Sequence, residues 1–231
     1  MPQTNEIVLY GTVGASYWDE DYFTAAKVRD ALENASGDVT VRINSGGGIA
    51  SEGQAIYTLL KDHPGEVHVI VDGMAASAAS LIAMAGDRIT VRAGAYLLIH
   101  DPAHPVTSGR GTEEDHLRSA AQLRVLSNAY AAVYAQRSGQ SREEARDIMR
   151  AETIMDGEMA VLMGYATDTD PEAGAEAAAF DYRIYRNAPP ALRERSAGLG
   201  AAMAETAVMA MIAGATRMEM ETMMSAENTA E

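Results

Sequence analysis

Two serines stand in an alanine patch, VDGMAASAAS at residues 71–80, where an apolar run gives way at Asp72-Gly73. A hydroxyl placed there is either a small filler where a helix packs closely or a nucleophile. Acyl transfer asks for an activated nucleophile, a base to take its proton, a group to orient the base, and donors for the oxyanion. Ser77 follows a strand-like run over 66–71 and opens a helix. Its hydroxyl and the next backbone N–H, that of Ala78, therefore fall at a helix N-terminus, where developing negative charge is favoured. His100 ends the run AYLLI just before a proline-containing loop. Gly46, Gly47 and Gly48 follow a strand over 39–43 and can present backbone N–H groups at close range. An acidic residue near the start of a helix over 156–164 would orient the histidine. Each feature alone is weak. Together they fall at strand ends in consecutive units of one sheet.

The other polar candidates have plainer readings. GGGIAS lacks the lysine of a phosphate-binding loop and does not match GxGxxG. Ser80, one turn after Ser77, falls on the packed side of the helix, and Asn44 and Ser45 hold the glycine turn. His63, His104 and Asp101 read as loop residues, His68 as an outward-facing strand residue, and Tyr17 and Trp18 as cover for the core edge. The 5 histidines show no metal-binding pattern such as HExxH, so no metal or other cofactor is expected.

The elements that must position these groups alternate. Glu6 to Val13 predicts a strand and Glu20 to Asn34 a helix, with Ala25, Val28, Ala31 and Leu32 on one face. A strand over 39–43, a helix from Ala50 to Lys61, a strand over 66–71, an alanine-rich helix over 75–85 and two short strands, ITV and AYLLI, follow. Such alternation implies right-handed crossovers and a largely parallel sheet. After a loop over 101–111, Thr112 and the acidic residues behind it start a helix of roughly 25 residues, about twice the usual length. Its apolar positions are Leu117, Ala121, Leu123, Leu126, Ala129 and Val133. Ser141 to Glu144 form a capping box for a further helix, and Asp156 caps a short one ending at Gly164. Residues 171–179 read as a linker, FDYRIYRNAPP as an aromatic-basic segment, and 199–231 as a marginal amphipathic helix that needs a partner. That tail carries Met203, Met209, Met211, Met218, Met220, Met223 and Met224 of the chain's 14 methionines.

Bulk properties exclude several classes. A chain of 231 residues that is 47% apolar has room for one substantial domain and a tail, here 1–170 and 171–231. No run reaches the 18 or so apolar residues of a membrane span, and MPQTNEIVLYG lacks the basic-then-apolar pattern of a secretory signal. The absence of cysteine excludes disulfides and fits a cytoplasmic location. A net charge of −15 argues against non-specific nucleic-acid binding.

INSGGG at 43–48, DGMAASAASLIAMAG at 72–86 and LLIHDP at 97–102 resemble the ClpP family of serine peptidases over roughly residues 6–168. The family pattern runs INSPGG, GxAAS and a strand ending in MIH; Gly46 stands here where the family has proline. The resemblance implies an α/β fold of the ClpP/crotonase type, a superhelix of ββα units with a long protruding assembly helix. It implies Ser77 as nucleophile, His100 as general base, and Gly48 and Ala78 as oxyanion donors. Counting back from Gly164 places Glu152 at the position of the orienting acid, with Asp156 as the alternative. The family also implies a homo-oligomer of stacked rings built by the helix over 112–138, acting on protein substrates. YGTVGASYWDED and FDYRIYRNAPPALRE look like the phage-encoded head maturation, or prohead, protease branch, which cleaves scaffold or capsid protein without ATP. In keeping with that, the first strand starts almost at once, without the family's pore-lining N-terminal segment. Three rivals stand beside it: a housekeeping peptidase subunit working with an ATP-dependent unfoldase, an acyl-CoA hydratase or isomerase on the same fold, and a non-catalytic structural paralogue. Retention of both Ser77 and His100 speaks against the last two.

Overall fold

A computed structural model describes residues 5–14, 21–103, 111–194 and 196. Eight strands form one sheet, β1 (Glu6–Val13), β2 (Tyr22–Phe23), β3 (Val39–Gly48), β4 (Val67–Ala76), β5 (Arg88–Ala93), β6 (Tyr96–Ile99), β7 (Thr153–Met155) and β8 (Asp168–Ala173). The path β2-β1-β3-β4-β5-β8 is parallel throughout, as alternation with helices requires. The sheet branches at β4. Its first half, His68 to Val71, pairs with β5, whereas Met74 to Ala76 pair with β6, which in turn pairs antiparallel with β7. Asp72 sits fully buried at this fork, bonded to Arg42 and Tyr10 and ion-paired to Arg92. The mixed α/β architecture agrees with the fold class expected from the sequence.

The helices are α1 (Ala25–Glu33), α2 (Ala50–Lys61), α3 (Ala78–Ala83), α4 (Glu113–Ser138), α5 (Arg142–Ala151) and α6 (Gly157–Leu162). The anticipated capping box forms between Ser141 and Glu144 on α5, a second joins Thr112 to Asp115 at the expected start of α4, and Asp156 accepts from the Met159 N–H to cap α6. Several boundaries differ from the sequence reading. The first helix starts at Ala25 behind a Thr24 cap, because Tyr22 and Phe23 are drawn into pairing with β1. The alanine-rich helix is only six residues long, because Met74 to Ala76 extend β4 to pair with β6. Pro171 to Ala173 are not linker but the end of β8, so the strand runs straight through the boundary expected at 170.

The main core packs β1, β3, β4 and β5 against α2, α3 and the C-terminal half of α4. On α4 the buried stripe is Ser127, Tyr130, Ala131, Tyr134 and Ala135, a three-four spacing. The anticipated Leu117, Ala121, Leu123, Leu126 and Ala129 are not on it: the first four precede Ser127, where the helix projects from the body and Leu117 and Val125 are 62% and 69% exposed, and Ala129 lies on the outer face of the docked half. A second cluster joins Met74, Ala76 and Leu98 to Tyr182, Tyr185, Ala188 and Leu192, so the chain after β8 returns across the branch of the sheet. The methionine-rich tail, Tyr17, Trp18 and His104 lie outside the described residues. Among the described residues no helix is long and apolar enough to cross a membrane.

Candidate active site

Ser77 is the single residue between the end of β4 and the start of α3, and it turns the chain through φ 54°, ψ −122°. A side chain in that left-handed region is strained, and such strain persists only where the surroundings fix it. Here the Ser77 N–H donates to Leu98 O at 2.9 Å, while the Ser77 carbonyl accepts from the N–H groups of Ser80 and Leu81. The turn is held by β6 on one side and α3 on the other. Ser80 does as a packed filler should: it is buried, donating to Ser77 O and bonding Tyr134 Oη at 2.9 Å.

The strand that anchors the Ser77 amide also delivers the base. His100 follows the last residue of β6, and its Nε2 lies 2.7 Å from Ser77 Oγ. Burial lowers the His100 pKa, partly opposed by the charges of Glu152 and Asp101, so the ring is neutral and able to accept a proton near pH 7. Glu152, buried and left-handed at the C-cap of α5 (φ 52°), faces His100 through space without a direct hydrogen bond. Its Oε1 accepts the Asn187 N–H at 2.6 Å, and Arg186 stands 3.8 Å away. Asp156 is committed to capping α6. Asp101, read from sequence as a plain loop residue, pairs with Arg146 of α5 and thereby ties the end of β6 to the helix that carries Glu152.

The glycine run completes the setting. Gly47 lies so close to the nucleophile that a Cβ there would sit 2.8 Å from Ser77 Cβ, and one on Gly48 would strike Val13 O at 2.1 Å. Both have positive φ, so both positions demand glycine. Gly47, near the end of β3, thus approaches Ser77 closely, and Ala78 follows Ser77 as the first residue of α3. Ser45 holds the turn as anticipated, accepting the Gly47 N–H. Asn44 reaches further than expected: its side chain donates to Glu176 O and accepts from the Ala178 N–H. His63 bonds Gly37 O and His68 bonds Thr90, both away from the site. Among the described residues no group of three or more metal-ligating side chains occurs.

Sequence reasoning missed the residues supplied by the segment after β8. Tyr185 is buried, donates to Gly46 O at 2.7 Å and presents its ring edge-on to His100, 5.1 Å between centroids. The one sequence signal was Gly46 itself, glycine where proline was expected, because the Phe180 ring occupies the space a side chain there would need.

A hydroxyl on a strained strand-to-helix turn, bonded to a neutral imidazole and set close beside a glycine run, can carry out covalent acyl transfer. The family model for Clp protease matches residues 20–168, and the chain belongs to that family. It is 33% identical over 128 residues to an ATP-dependent Clp protease proteolytic subunit of Dioscorea elephantipes, covering 54% of this chain and 62% of that protein. A protein of the same description from Illicium oligandrum is 36% identical over 112 residues, covering 47% and 54%. The chain thus spans less than two thirds of these relatives. ClpP1 of Listeria monocytogenes has the same fold at TM-score 0.60 and 21% identity, over 73% of this chain and 92% of that one. A single-site mutant of that protein superposes at TM-score 0.62 with 20% identity and the same coverage.

Proposed function

We propose that the chain is a serine endopeptidase in which Ser77 is the nucleophile, His100 the general base and Glu152 the acid that orients it. The observation that carries this reading is the 2.7 Å contact between Ser77 Oγ and His100 Nε2 at the strained turn. Ser77 Oγ attacks the scissile carbonyl carbon as its proton passes to Nε2. The oxyanion draws on the N–H groups of Gly48 and Ala78, and the proton then goes to the departing amine as the peptide C–N bond breaks. Water, deprotonated by the same imidazole, releases the acyl group and restores Ser77. An acyl-CoA hydratase would need the glycine amides but no such serine–histidine pair.

In our reading the protein is a phage or prophage head maturation protease, working in the bacterial cytoplasm as a ring on scaffold or capsid protein without ATP. YGTVGASYWDED and FDYRIYRNAPPALRE support it, and the second is packed into the site. The ATP dependence of the relatives favours a second reading, a proteolytic subunit that depends on an ATP-driven unfoldase. Incubating the purified chain with scaffold or capsid protein, beside Ser77→Ala, separates the two. Cleavage without nucleotide, absent from the variant, is the result expected. Cleavage only when an unfoldase and ATP are added overturns the phage reading in favour of the second.

A further inference from the structure

The chain after β8 does more than fill a surface. Asn44 grips it at residues 176 and 178, through bonds of 2.8 and 2.9 Å. Phe180 then stacks on Tyr185, rings 12° from parallel, and fills the space beside Gly46, where a Cβ would lie 2.1 Å from Phe180 Cγ. Farther on, the Asn187 N–H donates to Glu152 Oε1, and Asn187 Nδ2 donates to Ala151 O and Glu152 O at 2.8 and 2.9 Å. One short segment therefore touches the glycine run, the histidine and the acid.

Its contact with the glycine run is placed to matter for the chemistry. Tyr185 Oη donates to Gly46 O, and Ser45 Oγ accepts the Gly47 N–H at 3.1 Å. Those two atoms, Gly46 O and Gly47 N, belong to one peptide unit, which is pinned at both ends. Fixing that plane restricts the dihedrals of Gly47, and these aim the next N–H, that of Gly48. Glycine would otherwise leave this direction loose. The nucleophile is not covered, for Ser77 keeps partial exposure beneath the segment. We propose that residues 180–187 are a built-in wall of the active site, with Tyr185 a positioning residue that orients the Gly48 N–H and His100. This rests on the peptidase reading above. A preorganised donor is worth much more than a mobile one in stabilising an oxyanion.

The test is the kinetics of fluorophosphonate labelling of the full chain, comparing wild type with Tyr185→Phe and Asn187→Ala across pH. Tyr185→Phe keeps the ring and loses the hydroxyl, with its bond to Gly46 O and its interaction with the Ser77 side chain. Its maximal labelling rate falls about tenfold, the equivalent of one hydrogen bond of ~1.4 kcal/mol. Its half-saturating probe concentration and the acid limb of its pH profile stay put, since His100 remains shielded. Asn187→Ala, which removes the two Nδ2 bonds at the far end of the wall and leaves the N–H to Glu152 Oε1, also slows labelling. Wild-type rates in both variants overturn the proposal and make the segment mere packing. Faster labelling overturns it too, making the segment a plug. Absence of labelling in wild type is a separate result that removes the peptidase reading first and this inference with it.

Discussion

The chemistry rests on a few groups whose protonation has a definite sign. His100 acts as a base only when neutral, and its burial lowers its pKa, so labelling of Ser77 stays high down to below the ordinary imidazole value of about 6.5. The Glu152 charge raises that pKa. Glu152→Gln therefore moves the acid limb of the rate profile to still lower pH. It also slows the reaction about tenfold to a hundredfold by leaving the ring less well oriented. A limb that moves upward, or not at all, contradicts the role given to Glu152. At this scale the Ser77–His100 pair was legible because each stands at a strand end beside turn-forming neighbours. Tyr185 and Asn187 were not legible. They act from far along the chain, and nothing local to FDYRIYRNAPP announces a destination.

Elements were legible where local chemistry decides them and illegible where pairing does. The capping boxes at Thr112 and Ser141 fixed two helix starts. Alanine, by contrast, is neutral between the end of β4 and a longer α3, and only β6 as a partner makes Met74 to Ala76 a strand. The glycine run has a testable element-level consequence. Gly46 does not have positive φ, so alanine there strains nothing but the space taken by Phe180. Gly46→Ala is expected to destabilise the fold by about 1–3 kcal/mol, as other overpacking changes do. The same substitution made on Phe180→Ala costs close to nothing. Thermal or denaturant unfolding of the four chains of this cycle measures the coupling, and additive effects contradict the packing described.

At the scale of the molecule, half of α4 lacks a core of its own. The helix is docked from Ser127 onward, by Tyr130 to Ala50 O, Tyr134 to Ser80 and Arg137 to Gly86 O, while Leu117 and Val125 stand in solvent. A 26-residue helix with so little purchase in its first half fits the ring assembly proposed above. Leu117→Asp combined with Val125→Asp is expected to lower the solution mass toward that of one chain without unfolding it. Light scattering behind a sizing column reads this, and an unchanged mass shows that α4 is not the assembly element. The helix was legible in sequence, but its protrusion was implied only by the family resemblance, because apolar residues on a projecting arm look like those of a buried stripe.

The central claim is that Ser77 is an activated nucleophile, and intact-mass measurement after fluorophosphonate treatment tests it most directly. A single adduct on the wild-type chain, absent from Ser77→Ala and from His100→Ala, is the outcome predicted. A wild-type chain that stays unmodified, or an adduct that persists in Ser77→Ala, contradicts the account.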